Sequence, residues 1–289
     1  MRFSTSIFLM LTSLAASGGS YAQVDSPVLE GPYLGQKPPG LTPEPFAPGI
    51  VSTKNWEVSG VFTPDLEEFY FLRDQGENTP SEFVVFENKD NTWQERIISP
   101  RVGQPFISPD GKIMHLGRRY KERTETGWSE IKSLGSPFDD IRIMRMTSSS
   151  KGTYVFDEAH KDGNGVLRYS ALIDGQREAP MPLPKEINTG RWNAHPFIAP
   201  DESYIIWDGQ RVHEPRNADL FISFKQNDGS WGKAIKMGND INTDESEAGA
   251  RVTPDGKYLF FNRMVDRSTG NVDIYWVDAK IIENLRPKQ

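Results

Sequence analysis

A turn that recurs along the chain constrains the fold more than any other feature of this sequence. In four segments that align without a gap, Pro-Asp follows a Ser, Thr or Ala and precedes an aromatic or branched run. These segments begin at Thr63, Ser108, Ala199 and Thr253. A degenerate fifth segment begins at Thr147, where Ser-Ser-Ser replaces Pro-Asp and one residue is added. The starts are separated by 45, 39, 52 and 54 residues, a spacing that indicates a repeated sheet.

Each repeat has the sequence pattern of a small antiparallel sheet. Proline presets φ and aspartate closes a tight turn through backbone N–H groups, so the chain reverses between two strands. A third strand and a Trp-containing fourth segment follow, as in Asp219–Phe224 and Asp228–Trp231. Four antiparallel strands every ~40–50 residues are typical of a β-propeller blade. We therefore predict an all-β fold in which residues 55–289 form one β-propeller of five four-stranded blades.

The last repeat has no evident fourth strand. We predict that Gly49–Ser52 supplies it, so that the first and last segments pair and the ring has no open edge. The alternative is a six-bladed ring in which residues 23–54 form an additional blade, although this stretch has no Pro-Asp turn. Residues 23–54 are rich in Pro and Gly but include apolar Tyr33 and Phe46. We expect an extended segment that packs on the propeller.

The repeats resemble the TolB-type, WD40-like β-propeller repeat family over about Trp56–Ala279. The resemblance rests on the hydrophobic-[Ser/Thr/Ala]-Pro-Asp-x-x-aromatic pattern and on Ile-Asn-Thr at Ile187–Thr189 and Ile241–Thr243. It is closest to secreted bacterial members, which share the Asp-Ile-Tyr-Trp of the last repeat. The resemblance implies a propeller fold, and lyases that act on oligouronates occur on propellers similar to this family. The third repeat departs from the pattern at Ser148–Ser150, so its turn geometry stays open.

The first 22 residues have the pattern of a secretory signal peptide. Arg2 precedes a short apolar core, and Ser20-Tyr-Ala22 places small residues where a signal peptidase recognises them. The apolar run is about half of the ~20 residues that span a bilayer, so we do not expect a membrane anchor. Cleavage near Ala22 predicts a mature protein in the periplasm or outside the cell.

Charge balance and the lack of cysteine exclude several classes of function. The 289 residues include 33 basic and 40 acidic ones, a net charge of −7, which disfavours nucleic acid or an anionic membrane as partner. Without cysteine there is no disulfide, thiolate zinc site or cysteine nucleophile. P-loop, dinucleotide and His-Glu-x-x-His motifs are also missing from the sequence. We expect a monomer without metal or cofactor that neither binds nucleic acid nor inserts into a membrane.

Candidate site residues collect at one face of the predicted propeller, where loops enter the innermost strands and leave the second strands. The entering segments contribute Glu57, Gln104, Arg142, His195 and Glu247. The second-strand exits contribute Arg73, Arg118, His160, Arg211 and Arg263. An arginine at this exit in four of five blades predicts either a ring of guanidinium groups for an anionic ligand or ion pairs that join blades.

Three of these residues are candidates for catalysis. His195 interrupts the repeat at the channel entrance, where a general base would be useful, although a hydrogen bond to a neighbouring blade fits its position equally. Glu57 and Glu247 would meet across the ring closure as a carboxylate pair, which suits glycoside hydrolysis. The separation of the two carboxylates is not determined by sequence.

We therefore expect a secreted binding module that recognises a saccharide, peptide or protein through the loop face around the central channel. Its expected partner is an acidic or neutral oligosaccharide or a protein, held by the arginines together with Gln104, His160 and His195. The alternative is a carbohydrate-active enzyme with its site at the channel mouth, similar to an oligouronate lyase or a glycoside hydrolase.

Overall fold

The repeated turn is closed by the hydrogen bonds expected from its sequence. The structure is a computed structural model that describes residues 29–76, 79–211 and 217–288. The predicted signal peptide lies outside these residues. In the first turn the Asp65 carboxylate accepts hydrogen bonds from the Thr63 hydroxyl and the Glu67 N–H. Asp110 and Asp255 repeat this pattern in the second and last turns, so the motif reverses the chain in the same way each time.

The degenerate third turn has no aspartate, and Ser149 stands at the position that Thr63, Ser108 and Thr253 hold in other turns. The Ser149 hydroxyl accepts hydrogen bonds from the N–H groups of Lys151 and Thr153, at 3.2 and 3.1 Å. It also donates to the Glu202 carboxylate of the next repeat at 2.9 Å. The turn therefore closes without Pro-Asp, and it gains a direct bond to its neighbour.

The strands follow one another in five units along the chain. A short strand, β1 (Glu44–Pro45), precedes them. The first unit contains β2 (Trp56–Phe62), β3 (Glu68–Asp74), β4 (Glu82–Lys89) and β5 (Thr92–Pro100). The second contains β6 (Pro105–Ile107), β7 (Ile113–Leu116), β8 (Arg119–Thr124), β9 (Gly127–Trp128) and β10 (Lys132–Ser133). The third contains β11 (Met146–Ser148), β12 (Tyr154–Ala159), β13 (Gly165–Ser170), β14 (Leu172–Ile173), β15 (Gln176–Arg177) and β16 (Met181–Pro182).

The last two units are more regular. The fourth contains β17 (Asn193–Ile198), β18 (Tyr204–Gln210), β19 (Ala218–Phe224) and β20 (Ile235–Lys236). The fifth contains β21 (Glu247–Val252), β22 (Tyr258–Asp266) and β23 (Asn271–Asp278), and the helix α1 (Lys280–Asn284) follows it. Two 3₁₀ turns lie at Tyr33–Gly35 and Phe138–Asp140. No helix in the described ranges is both long and apolar enough to cross a bilayer.

The first strands of the five units surround a common axis. Within each unit, consecutive strands pair antiparallel from the first strand outwards. Strand β2 contacts β6, β6 contacts β11, β11 contacts β17, β17 contacts β21, and β21 contacts β2. The contacts run full circle, so the fold is an all-β propeller with the first strand of each unit innermost. The first-to-second-strand turns lie on one face, called here the turn face, and the opposite face is the loop face.

The segment before the first unit joins the two ends of the ring. Strand β1 pairs antiparallel with β23, and the Phe46 N–H donates to the Ile274 carbonyl at 2.7 Å. The N-terminal side thus supplies the fourth strand of the last unit. It does so through Glu44–Pro45, and the prediction of Gly49–Ser52 is wrong in its register. The described residues 29–54 contain only this short strand, so they form no additional four-stranded blade.

An aromatic cluster explains why the earlier register is preferred. Phe46 is fully buried and packs edge-on against Phe260 and Trp276 of the last unit and tilted against Phe69 of the first. Full burial of a phenylalanine stabilises by about 1.5–3 kcal/mol. Shifting the pairing to Gly49–Ser52 would remove Phe46 from this cluster. The Tyr33 hydroxyl adds a bond to Asp255 in the last turn, at 2.7 Å.

Candidate functional site

The innermost strands carry a bulge at the same position in three units. Pairing registers shift in β2, β17 and β21, and Ser59, His195 and Gly249 have positive φ values of 64°, 45° and 66°. Glycine adopts this backbone freely, whereas serine and histidine adopt it at a steric cost and need support from their surroundings. The register places Gln104 and Arg145 at the equivalent positions of the second and third units.

That support comes from the preceding unit. In three units a side chain of the second strand accepts a hydrogen bond from the bulged N–H of the next unit. Asp157 accepts from His195 at 2.9 Å, and Asp208 accepts from Gly249 at 2.9 Å. Asn262 accepts from the Ser59 N–H at 3.1 Å, across the ring closure. The same hydrogen bond, called here the joint, therefore links neighbouring units beside the axis in three places.

His195 and Asp208 form a buried pair within the fourth unit. The His195 Nδ1 lies 3.0 and 3.1 Å from the two carboxylate oxygens of Asp208. The His195 side chain is 19% exposed, whereas that of Asp208 is 3% exposed. Burial by itself lowers the pKa of His195, but the charges of Asp208 and Asp157 outweigh burial, and the pKa is raised above its usual range. An imidazole oriented by a carboxylate is the arrangement that general bases use.

Arg145 lies at the centre of these joints and is fully buried. Its guanidinium donates to the carbonyls of His195, Gly249 and Ala250, at 2.9–3.1 Å. Burial lowers the pKa of Arg145 to about 10, opposed by the nearby carboxylates of Asp208 and Asp157. This arginine therefore ties the third unit to the fourth and fifth, with two carboxylates to balance its charge.

Glu57 and Glu247 have the same structural role in their two units. Each is fully buried, and its carboxylate accepts from the hydroxyl and N–H of a threonine four residues earlier, Thr53 or Thr243. Burial raises the pKa of both carboxyl groups, and the threonine bonds act in the opposite direction. Each carboxylate is bound within its own entering turn, so the structure does not present the two as an exposed catalytic pair.

Three of the predicted ligand arginines are occupied by ion pairs. Arg73 contacts Glu82 and Glu95 at 2.9 and 2.8 Å, and Arg263 contacts Glu247 at 3.0 Å. Arg211 contacts Asp219 at 2.9 Å and also donates to carbonyls of the turn before β21. These arginines are paired, but each of these ion pairs lies within one unit and does not join neighbouring units as one interpretation of the sequence predicted. Arg211 reaches the next unit through the backbone carbonyls.

The other predicted ligand residues do not form a common cluster. Arg118 donates to the Asp139 carbonyl at 2.7 Å, and Arg142 is exposed. His160 lies 3.5 Å from Glu158 with its side chain 41% exposed. Gln104 is half-buried, and its Oε1 has no hydrogen-bond partner in the described structure. No group of three or more His, Asp or Glu among the described residues is placed to hold a metal ion.

A mainly apolar opening lies at the other end of the axis. On the turn face there is a cavity of about 330 Å³, and all five units contribute to its wall. Its wall includes one or more aromatic rings from four units and the four turn prolines. These residues are Phe62, Phe106, Phe197, Tyr204, Phe260, Pro64, Pro109, Pro200 and Pro254, with Ser150 from the third unit. The guanidinium of Arg251 provides the only charge in the wall, as far as the chain is described.

Arg251 crosses the axis as Arg145 does, but towards the first two units. Its Nη1 donates to the carbonyls of Ser59 and Pro105, at 3.1 and 3.0 Å. Arg251 is 4% exposed, and its buried Nη2 has no hydrogen-bond partner in the described structure. An unpaired donor on a buried cation is costly. The buried Nε of Arg145 also has no partner in the described structure, but the carboxylates of Asp208 and Asp157 lie near its charge, whereas Arg251 has no such neighbour.

Sequence reasoning did not select Arg145, Arg251, Asp157 or Asp208 as site residues. Two features of the repeat point to three of them. Asp157, Asp208 and Asn262 occupy one repeat position, at the end of the second strand. Arg251 is the charged residue at a repeat position that holds Val61, Phe106, Thr147 or Phe197 in the other units. Aligning the five units position by position reveals both departures.

Comparisons with known proteins agree on the fold. No protein-family model matches the chain, and no curated protein matches it. The catalytic domain of the Coprinopsis cinerea GH62 α-L-arabinofuranosidase is similar with a TM-score of 0.52 and 7% identity, over 83% of this chain and 97% of that one. TolB from Acinetobacter baumannii is similar with a TM-score of 0.45 and 15% identity, over 77% of this chain and 54% of that one.

A gluconolactonase from Xanthomonas campestris is similar with a TM-score of 0.49 and 9% identity, over 87% of this chain and 97% of that one. The chain thus spans about half of the length of the Acinetobacter TolB that it matches. The fold is that of a β-propeller, and at these identities the similarity concerns the fold alone.

Proposed function

We propose that this chain is a secreted binding protein whose ligand occupies the axial cavity on the turn face. The observation that carries the proposal is the wall of the cavity, to which all five units contribute. A cavity on the axis of a ring is held by every unit at once, so its shape is preorganised for a ligand. Its volume of about 330 Å³ lies at the lower end of the range for ligand pockets, ~300–1,000 Å³.

The chemistry of the wall favours binding over catalysis. Among the described residues the wall contains aromatic rings, prolines, small side chains and Arg251, but no carboxylate and no imidazole. Such a wall can bury an apolar ligand and orient one polar group, and it offers no acid–base pair for proton transfer. Most of the predicted loop-face residues bind within the propeller instead, which supports a site at the opposite face.

A mouth-blocking variant tests the location of the site. Ser150 is exposed and lies in the cavity wall, so Ser150→Trp should fill the opening without disturbing the core. Lys161→Trp is the matched control, because Lys161 is exposed in the loop between β12 and β13 on the other face. Thermal-shift screening against small apolar and amphiphilic compounds should find ligands that stabilise the wild type and Lys161→Trp but not Ser150→Trp. Ligands that stabilise all three proteins equally would contradict the axial site.

A second function is favoured by one specific observation, the His195–Asp208 pair. An imidazole that is partly exposed and held by a carboxylate could act as general base in a carbohydrate-active enzyme at the loop face. Its substrate would be an oligosaccharide, with a uronate for lyase chemistry or a neutral sugar for hydrolysis.

Product analysis separates this second function from simple binding. Incubation with acidic and neutral oligosaccharides should release reducing ends, or unsaturated products detected by ultraviolet absorbance, and His195→Gln should abolish the release. If no oligosaccharide is cleaved, or if His195→Gln cleaves as well as the wild type, His195 is not a general base. Its bond to Asp208 is then structural only.

A further inference from the structure

Arg251 lacks the counter-charge that other buried or ion-paired arginines of the propeller have. Arg73, Arg211 and Arg263 each contact a carboxylate within 3.0 Å, and Arg145 lies near Asp157 and Asp208. No carboxylate lies within 4.0 Å of the Arg251 guanidinium in the described parts of the chain. A guanidinium does not lose its proton to relieve this, so the buried charge stays uncompensated.

One donor group of Arg251 has no partner within the described structure. Two carbonyls occupy Nη1 of Arg251, whereas Nη2 is buried and without a partner in the described structure. Both protons of Nη2 are therefore unpaired, on a residue that lines the axial cavity. Because the described wall holds no second cation, a single negative charge on the ligand balances it.

The remainder of the cavity defines the rest of the ligand. Phe106, Phe197, Phe260 and Val61 form an apolar wall, and aromatic rings of this kind bury apolar groups and stack on other rings. The volume of about 330 Å³ is roughly twice the ~150 Å³ that holds benzene in an engineered apolar cavity. The body of the ligand is thus larger than one aromatic ring and smaller than a lipid.

From these observations we propose that the axial cavity binds a monocarboxylate with an aromatic or branched aliphatic body, and that Nη2 of Arg251 donates to its carboxylate. This inference rests on the proposed function, since it names the ligand class of the same cavity. The carboxylate can come from a free arylalkanoic acid or from the C-terminus of a peptide that ends in an apolar residue. The two sources share one chemistry.

Calorimetric titration of the mature wild-type chain tests the charge without any mutation. 3-Phenylpropanoate and indole-3-acetate should bind about tenfold to a hundredfold more tightly than 3-phenylpropanamide, the range that a charge-assisted hydrogen bond supplies. A peptide ending in Phe, with a free or an amidated C-terminus, distinguishes the two sources. Binding of the free-terminus peptide at or above the affinity of the small acids assigns the site to a polypeptide C-terminus. Weaker binding assigns it to free acids.

Two variants make the failures distinguishable. Arg251→Met should bind acid and amide equally and weakly, and Ser150→Trp should bind neither. Where Arg251→Met does not fold, the acid-to-amide ratio of the wild type decides the question. If acid and amide bind the wild type equally and Ser150→Trp binds neither, the carboxylate class is wrong but the axial site stands. If none of these probes binds the wild type, both the ligand class and the axial site for such ligands are rejected.

Discussion

The two buried arginines of the hub occupy opposite electrostatic environments. Arg145 and Arg251 are 0% and 4% exposed, and each donates to backbone carbonyls of two other units. Two carboxylates, Asp157 and Asp208, lie close enough to act on the charge of Arg145. Arg251 has no such neighbour and lines an apolar cavity instead.

This difference separates a structural charge from a functional one. A buried charge is tolerated when other charges and hydrogen bonds of the fold compensate it. Arg145 meets most of that condition within the protein, since two carboxylates lie near its charge and only its Nε lacks a partner among the described residues. Arg251 has neither a nearby carboxylate nor a partner for its Nη2 in the described structure, and the residue lines a cavity that is open to a ligand. Four measurements can break or sharpen this comparison.

The largest effect is expected for Arg145→Met. The substitution leaves two buried carboxylates and three carbonyls without their cation, so we expect the free energy of unfolding to fall by about 3–5 kcal/mol. Urea denaturation followed by circular dichroism measures it. Arg142→Met, at an exposed position nearby, should change stability by about 0.5 kcal/mol or less. A loss below about 1 kcal/mol for Arg145→Met would show that the joints do not depend on its charge.

A smaller loss is expected for Arg251→Met in the absence of ligand. Two carbonyls lose a donor, but no carboxylate is left unpaired and an uncompensated cation is removed, so we expect about 1–2 kcal/mol. The same denaturation experiment measures it beside Arg145→Met. Equal losses for both variants would refute the distinction between the two arginines.

Asp273 is an acidic counterpart to Arg251. Its substitution should change the free energy of unfolding by a similar amount, but it should stabilise the protein. It is 7% exposed, and burial together with the neighbouring Glu57 raises its pKa to about 6. A raised carboxyl pKa means that stability present below the ordinary pKa of 3.8 is lost as pH rises through about 6. Asp273→Asn should therefore stabilise the protein at pH 8 by about 1–3 kcal/mol, since one pKa unit corresponds to ~1.4 kcal/mol.

The pH profile is the check on Asp273. Thermal melts of wild type and Asp273→Asn between pH 4 and 8 should converge as pH falls, because the wild-type carboxyl becomes protonated. Asp278→Asn, a carboxylate at the end of the same strand, serves as control. If the difference in melting temperature between the two proteins stays constant across this pH range, ionisation of Asp273 does not destabilise the fold.

The smallest effect is expected for Asp208→Asn. Asn262 already performs the same joint with an amide, so asparagine at 208 should keep the bond to the Gly249 N–H and cost about 1 kcal/mol. The charge beside His195 is lost, so the pKa of His195 should fall. Proton NMR titration of the His195 ring measures it, with His160 as an internal reference. An unchanged His195 titration would show that Asp208 does not hold the imidazolium.

The prediction of the fold succeeded because it depended on local chemistry. Pro-Asp turns, Asp65 being one, form from bonds within a few residues, and their spacing is visible in the chain. The pairing partner of β23 was predicted five residues too late because register depends on which side chain fills a remote cluster. Phe46 makes that choice by packing on Phe260 and Trp276.

The candidate site was predicted less well, since repeat position alone does not show which partner a side chain finds. Arg73 and Arg263 carry the same charge as Arg251, and only their neighbours differ. Glu57 was predicted at the channel, but its carboxylate bonds to Thr53 in the turn before its strand. His195 was singled out because it interrupts the repeat, and the structure places Asp208 beside it.

The sequence by itself determined the strands, the turns and the number of repeats of the turn motif, because hydrogen bonds and side-chain alternation over a few residues specify them. Only the tertiary structure decided which polar groups of the hub are satisfied. Those groups come from units that are up to about two hundred residues apart, as Ser59 and Arg251 are. The role of a buried charge, structural or ligand-binding, depends on which groups the closure of the ring places beside it.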